Sequence, residues 1–281
     1  MILVFGTSGQ VATELQKSKK TVTLSRHDAD LSDTKACYDL VRLYKPKAVI
    51  NAAAFTDVNK AEENEILATV INGEAPTAIA NACVELNIPI VQISTDYVFS
   101  GFGAKPWSPY DVTQPKNAYG RSKLVGEKGV RDRGATHAIL RTSWVISPHG
   151  KNFLKTILKQ AEIYKIINVV SDQIGGPTPA HYLASACISI AEKLQKNHLK
   201  SGTYHFSGGP DVSWAELATV ILKKANLNRK INKILTSEYK TLATRPLNSR
   251  LECSKTSQVF GINRPCWQAS LDRILLELKE T

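Results

Sequence analysis

The chain contains only five cysteines, Cys37, Cys83, Cys187, Cys253 and Cys266, and no C-x-x-C pair. An odd number at wide spacing excludes a disulfide framework or a thiolate zinc site and fits a reducing, cytoplasmic setting. Long apolar runs are also missing. The longest apolar-leaning stretch, near YLASACISIA, is about half the roughly 20 residues of a spanning helix, so no membrane partner is expected. The opening MILVFGTSGQ has no basic segment before its apolar run, so no signal peptide is expected. Internal repeats and low-complexity tracts are absent. The formal charge is +11, yet Lys and Arg are scattered, with clusters no longer than KSKK. No basic motif interleaved with aromatics occurs, so nucleic acid is not an expected partner.

What the chain does have is material for a core: 43% of its 281 residues are hydrophobic, enough for one large or two smaller domains. Residues 1–145 alternate short apolar runs with helical patterns. Strands are expected at 2–5, 21–24, 48–54, 88–95 and 137–145. Helices are expected at 11–18, 34–44, 66–86 (interrupted near Gly73 and Pro76) and 118–130. This alternation predicts an α/β fold with a doubly wound parallel, Rossmann-type sheet. After residue 146 the rhythm loosens. Helical patterns at 151–165, 180–196, 213–225 and 267–279 alternate with short strand candidates at 167–170, 203–206 and 231–235. The chain therefore divides into a dinucleotide-binding domain at 1–145 and a smaller α+β substrate lobe at 146–281. Part of that lobe is expected to rejoin the sheet.

Three features carry chemistry. FGTSGQVA gives Gly6-x-x-Gly9-x-x-Ala12 between the first strand and first helix. Glycines there allow a tight turn and close approach of backbone to a pyrophosphate, with a helix N-terminus facing the anion. Past the second strand, Arg26 precedes Asp28 and Asp30. An acid at this point holds ribose hydroxyls, whereas an arginine accommodates a 2′-phosphate, so the cofactor is NADPH or NADH, with Arg26 favouring NADPH. At the end of the fourth strand come Ser94, Thr95 and Asp96, where an open α/β sheet binds ligands. Tyr119 and Lys123 follow one turn apart on the next helix. A free phenol titrates near ~10, and a nearby ammonium would lower that value. Tyr119 then serves as proton donor to a carbonyl that receives hydride. Lys123 serves as tuner and ribose ligand, and Thr95 orients the substrate oxygen.

The order of glycine turn, strand-end threonine and Y-x-x-x-K resembles the extended short-chain dehydrogenase/reductases. FGTSGQVATELQ, NAAAFTDVNKAE, STDYVFSG, YGRSKLVGEK, LRTSWV, KNFLKT, SDQIGGPT and RPLNSRL together resemble the dTDP-4-dehydrorhamnose reductase family over essentially the whole chain. The resemblance implies NAD(P)H-dependent reduction of the C4 keto group of dTDP-4-dehydro-L-rhamnose to dTDP-L-rhamnose, for cell-surface polysaccharide synthesis. It implies cofactor contacts at Gly9, Gln10 and Val11, at Asp30 and Leu31 beside the adenine, and at Ala54, Phe55 and Thr56 after the third strand. It implies sugar contacts at Thr95, Asp96 and Trp144, and catalysis by Tyr119, Lys123 and Thr95. Arg245 and Arg250 in RPLNSRL offer planar forks for the diphosphate.

Two departures stand out. The family often has His where this chain has Phe55. Some members form a homodimer with Mg²⁺ held by interface glutamates. Glu14 and Glu277 match two of these, but His181 stands in the third place. Imidazole is a poor ligand for that ion, so no metal site is expected. Rival readings remain. Sugar-nucleotide 4,6-dehydratases carry a second acid after the threonine, where this chain has Tyr97. A reductase of another dTDP-4-keto sugar, of the dihydrostreptose-synthase kind, would differ only in pocket shape. A non-catalytic dinucleotide-binding regulatory subunit would tend to lose the Thr95, Tyr119 and Lys123 set, which this chain keeps.

Overall fold

Strand β1 (Ile2–Phe5) is buried at every position. Ile2 and Val4 point into one apolar core, Leu3 and Phe5 into another. This period-two division is what a strand covered on both faces requires. The computed structural model describes residues 1–279. The last two residues of the range assigned to the C-terminal lobe lie outside the described residues.

The elements of the first half are α1 (Gln10–Gln16), β2 (Thr21–Leu24), α2 (Thr34–Tyr44), β3 (Ala48–Asn51), α3 (Val58–Glu63), α4 (Glu65–Thr69), α5 (Ala75–Glu85), β4 (Ile90–Thr95), α6 (Ala118–Asp132) and β5 (His137–Thr142). The second half holds β6 (Val145–Ile146), α7 (Phe153–Ile163), β7 (Ile166–Val170), β8 (Ile174–Gly175), β9 (Thr178–Pro179), α8 (Ala180–Lys196), β10 (Gly202–His205), β11 (Val212–Ser213), α9 (Trp214–Lys224), β12 (Lys230–Ile234), β13 (Asn248–Ser249), α10 (Ser254–Phe260) and α11 (Trp267–Lys279).

Six strands form one sheet in the order β2-β1-β3-β4-β5-β10, and every pairing is parallel. The expected doubly wound Rossmann-type sheet is therefore present. From β1 the chain first runs outward to β2, then returns to β3 on the other side. The strand order thus switches between β1 and β3, and ligands of such sheets bind at that crevice. One face is covered by α1 and α8, the other by α2 and α5. The last strand, β10, comes from the second half and pairs with β5. A separate core gathers Leu154, Ile157, Ile167, Leu217, Ile221, Trp267 and Leu271 from α7, β7, α9 and α11.

The helix expected at 66–86 is split by a π turn, Val70–Glu74. Pro76, at the start of α5, has no N–H to continue a tight α ladder, and the wide turn carries Asn72 inward. Helices α3 and α10 were not evident in the sequence, being six and seven residues long. The two-residue strands β6, β8, β9, β11 and β13 pair over long sequence distances that local patterning does not report.

Helix α6 carries the Y-x-x-x-K pair, and two constraints fix its place. The first is close packing. A Cβ on Gly120 would lie 2.2 Å from the Tyr97 carbonyl oxygen, and one on Gly126 would lie 2.1 Å from that of Asn72. Glycine inside a helix costs about 1 kcal/mol, and here it permits contact that no side chain would allow. The second constraint is a buried ion pair. Glu127, fully buried, accepts from Arg141 Nε at 2.8 Å and Nη2 at 2.6 Å, and from Ser94 Oγ at 2.6 Å. One carboxylate thus joins α6 to β4 and β5. Glu127→Gln should leave the Arg141 charge uncompensated and lower unfolding free energy by about 3–5 kcal/mol, read by denaturant titration.

Candidate active site

A continuous groove follows the carboxyl edge of the sheet. Its first part is lined by Gly6, Gly9, Arg26, Asp30, Leu31, Ala54 and Thr56 among others. Its second, a cavity of about 480 Å³, is reached past Gly9, Gln10 and Val11 and holds Thr95, Asp96, Tyr119, Lys123 and Trp144. Gly6 has φ +110°, a conformation that favours glycine, and an added Cβ would crowd Ala53 at 3.3 Å. Gly9 faces open space, with its nearest neighbour 4.0 Å from a hypothetical Cβ, and no side chain caps α1. That open, uncapped turn fits a dinucleotide pyrophosphate. Arg26 is highly exposed, with its Nε 3.3 Å from Asp30 Oδ2. The Ser32 backbone and hydroxyl bond the Asp30 carboxylate and hold its pKa below the usual range. Phe55 is placed differently: it does not line the groove but packs with Tyr119, Ala61, Ala68 and Ala118.

Gln10 reaches across the groove. Its Oε1 accepts from Ser147 Oγ at 2.8 Å and Asn152 Nδ2 at 3.0 Å. These bonds tie the glycine turn to the loop between β6 and α7. Neither partner was evident from the sequence, because the link spans more than a hundred residues.

At the other end, Asn117 caps α6 by accepting from Gly120 N at 2.8 Å. Tyr119 then projects to the end of β4, where its phenol comes close to Thr95. Only part of the Tyr119 side chain meets solvent, and burial raises its pKa above the ordinary value. The expectation that Lys123 holds the phenol pKa down is corrected here. Lys123 Nζ instead donates to the Ile93 carbonyl at 2.7 Å. Burial lowers its own pKa to about 8, against an opposing pull from Glu127. Desolvation outweighs the charge effect for Lys123, while for Tyr119 the neighbouring Asp96 and Tyr97 push the same way as burial.

Asp96 is 2% exposed, and burial pushes its pKa up to about 7. Its Oδ1 accepts from Thr95 Oγ1 at 3.2 Å, while its Oδ2 has no partner. The Ser249 hydroxyl lies near enough to pull that pKa slightly down, but outside hydrogen-bond geometry, so Ser249 Oγ is unpaired too. Arg245 faces the Tyr97 phenol, and its Nε is a third buried atom without a partner. Arg250 donates from Nη1 to Asn248 Oδ1 at 3.0 Å. Neither arginine lines the cavity that holds Tyr119. Trp144 does, with φ +48°, unusual for a bulky residue. It stacks on Trp214 with ring centroids 3.5 Å apart. Trp214 also lines the cavity, a role that its place at the start of α9 did not signal.

Asn72 is the other residue the sequence did not expose. From the π turn, its Oδ1 accepts from Phe55 N at 2.8 Å. Its Nδ2 donates to Phe55 O at 3.0 Å and Ser122 Oγ at 2.9 Å. It joins the loop after β3 to the face of α6 behind Tyr119. Asn72→Ala should strand both backbone groups of Phe55, lower stability by about 2–4 kcal/mol and reduce kcat; thermal melting and steady-state kinetics check this.

Glu14, His149 and Glu277 bring ligand atoms within 4.8 Å of one another, and His181 is not among them. Lys17 Nζ lies 3.0 Å from Glu14 Oε1 and 3.7 Å from Glu277 Oε2. Arg273 Nε lies 2.7 Å from Glu277 Oε1, and His149 Nε2 lies 2.8 Å from Glu14 Oε1. An ammonium thus bridges the two carboxylates, and the nearby nitrogen ligand is ill suited to magnesium. This set does not fit that ion. EDTA should leave both the melting temperature and the turnover unchanged; loss of either on chelation would show a bound metal.

A parallel sheet with a glycine turn after β1 and a Thr/Tyr/Lys set at β4 and α6 defines a nicotinamide-type reductase of short-chain dehydrogenase/reductase architecture. Residues 1–280 match the family model described as RmlD substrate binding domain. The dTDP-4-dehydrorhamnose reductase of Salmonella typhimurium is 39% identical, with 100% of this chain and 98% of the relative covered. Among solved structures, a dTDP-4-dehydrorhamnose reductase of Clostridium acetobutylicum superposes with TM-score 0.91 at 32% identity, covering 100% and 99% of the chains. That of Bacillus anthracis, in complex with NADP, gives 0.90 at 31%, covering 98% of each. The chain belongs to the dTDP-4-dehydrorhamnose reductase family. No helix among the described residues is long and apolar enough to cross a membrane.

Proposed function

We propose that the protein reduces the C4 keto group of dTDP-4-dehydro-L-rhamnose to give dTDP-L-rhamnose. The observation that carries this reading is a phenol beside a strand-end threonine and a buried lysine, in one groove with an open glycine turn. The family relationship supports it, including a relative in complex with NADP.

A bound reduced nicotinamide cofactor supplies hydride. Gly6, Gly9, Gln10 and Val11 hold the pyrophosphate region, and Leu31, Ala54 and Thr56 flank the adenosine end. Arg26 at the mouth of that end favours a 2′-phosphate and hence NADPH over NADH. Lys123 offers a buried ammonium for the ribose beside Tyr119. Thr95 and Tyr119 present hydroxyls to one substrate oxygen. Tyr119, a phenol protonated at neutral pH, transfers its proton to that oxygen as negative charge develops on it. Trp144 offers an aromatic face to the sugar, Asp96 a buried carboxyl, and Arg245 and Arg250 positive charge for the diphosphate. The soluble, cytoplasmic setting and the sugar nucleotide as partner belong to this same reading.

The test is oxidation of NADPH and NADH, followed at the nicotinamide absorbance, with the 4-keto sugar nucleotide generated in situ. Formation of dTDP-L-rhamnose confirms the activity; cofactor binding without oxidation points to another 4-keto sugar. Tyr119→Phe should lower kcat by roughly 10²–10⁴-fold with cofactor affinity unchanged by titration. Arg26→Ala should raise the KM for NADPH while leaving that for NADH in place.

A further inference from the structure

We propose that Lys151, on the loop between β6 and α7, is a binding residue for the diphosphate of the nicotinamide dinucleotide, so that the second half of the chain grips a cofactor seated on the first. The proposal deepens the reductase reading above and rests on its cofactor-binding part.

The glycine turn carries no charged side chain of its own. Gly6, Thr7, Ser8, Gly9, Gln10 and Val11 are all neutral, and a dianionic diphosphate held there gains from a cation as well as from backbone N–H groups. Among the described residues, three cationic side chains line the groove: Arg26, Lys123 and Lys151. Arg26 stands at the adenosine end, with its Nε 3.3 Å from Asp30 Oδ2. Lys123 is buried and directed to the Ile93 carbonyl. Lys151 lines the same cavity as Ser8, Gly9, Gln10 and Val11.

Its place beside the turn is fixed from both sides. Asn152 Nδ2, one residue on, donates to Gln10 Oε1 at 3.0 Å. One residue back, a Cβ on Gly150 would lie 3.6 Å from Gln10 Cγ. Lys151 is thus bracketed by two contacts with a residue of the turn itself. The loop has its own internal bonds. Asn152 Nδ2 also donates to the carbonyls of Ser147 at 2.9 Å and His149 at 3.2 Å, and its Oδ1 caps α7 by accepting from Lys155 N at 3.1 Å. Gly150 adopts φ +62°, a conformation that favours glycine.

The backbone is held, but the ammonium is unspent. Lys151 is exposed, and its Nζ makes no hydrogen bond or ion pair among the described residues. Lys155, the next cation along the chain, is directed instead to the Pro148 carbonyl at 3.2 Å. Lysine also suits the task. An ammonium on a flexible stem is a point charge that meets phosphate oxygens from several directions, whereas a guanidinium requires its planar fork to be matched. The diphosphate is common to NADPH and NADH, so a contact with it strengthens both alike. A contact with the 2′-phosphate strengthens NADPH alone, which is the part given to Arg26.

The experiment titrates NADPH, NADH and dTDP by calorimetry into the wild type, Lys151→Gln and Lys151→Arg, at low and at high salt. Melting of the ligand-free proteins reports their stability. Lys151→Gln should raise the Kd of NADPH and of NADH by the same factor, roughly three- to tenfold, with dTDP affinity and melting temperature unchanged. High salt, which screens exposed charges, should narrow the gap between wild type and Lys151→Gln for NADH. Lys151→Arg should recover most of the lost affinity. Unchanged Kd for both cofactors, weakening of NADPH alone, or weakening of dTDP, which shares a diphosphate with the sugar nucleotide, would overturn the assignment. So would a lower melting temperature with all three ligands weakened alike, the mark of a merely structural residue. A wild type that binds neither cofactor would remove the dinucleotide reading, and Lys151 with it. A wild type that binds both but does not reduce the 4-keto sugar nucleotide would overturn the substrate assignment and leave the role of Lys151 standing.

Discussion

Glu127 and Arg141 meet where water does not reach, and almost everything at the site depends on that pair. The carboxylate takes both nitrogens of the guanidinium fork and the Ser94 hydroxyl. The guanidinium lies over the Phe99 ring and beside His205 on the edge strand. Burial and the adjacent Arg141 charge push the His205 pKa down to about 3, so it stays neutral there. Four elements of different sequence origin are thereby held by one charge pair. The desolvation cost of two buried ions is large, and a well-packed apolar substitute could match it in stability. What the apolar substitute would not supply is direction. Bidentate geometry sets the rotation of α6 about its own axis, and hence the side on which Tyr119 emerges.

The second determinant is nearness. Gly120 and Gly126 let α6 press on the backbone of two neighbouring segments, and Asn72 fastens the helix to the loop after β3. Across the groove, Gln10 binds Ser147 and Asn152. The cofactor turn and the segment that supplies Trp144 and Val145 are therefore mechanically joined before any ligand arrives. Pre-assembled walls reduce the ordering that binding would otherwise require.

The sheet was legible in the sequence because its strands are short, apolar and regularly spaced, and covered strands leave that mark most clearly. Gly6, Gly9, Thr95, Tyr119 and Lys123 stood out because each belongs to a motif with a local position on a strand or helix end. Asn72, Trp214, Ser147 and Asn152 did not, because their partners come from remote segments and their types are ordinary. Phe55 was expected along the cofactor; its side chain packs against the same small cluster of alanines, Ala61, Ala68 and Ala118, as that of Tyr119. The tuning of Tyr119 was misjudged for a different reason. Spacing placed an ammonium one turn away, but spacing contains no information on desolvation, and burial set the direction for both residues. His181 showed as a departure from the family's acidic set, while the Lys17 bridge depended on a fold that brings α1 beside α11.

The stacked Trp144 and Trp214 rings have an optical consequence. Two indoles face to face within van der Waals distance couple their electronic transitions, so the pair absorbs and emits as a unit. Half of the four tryptophans of the chain lie in this one stack. A sugar ring that slides over Trp144, or a shift of the loop held by Gln10, changes the overlap of the two rings. The protein therefore carries its own chromophore at the entrance to the reaction site. Near-ultraviolet circular dichroism would register occupancy there without a label or a coupled reaction.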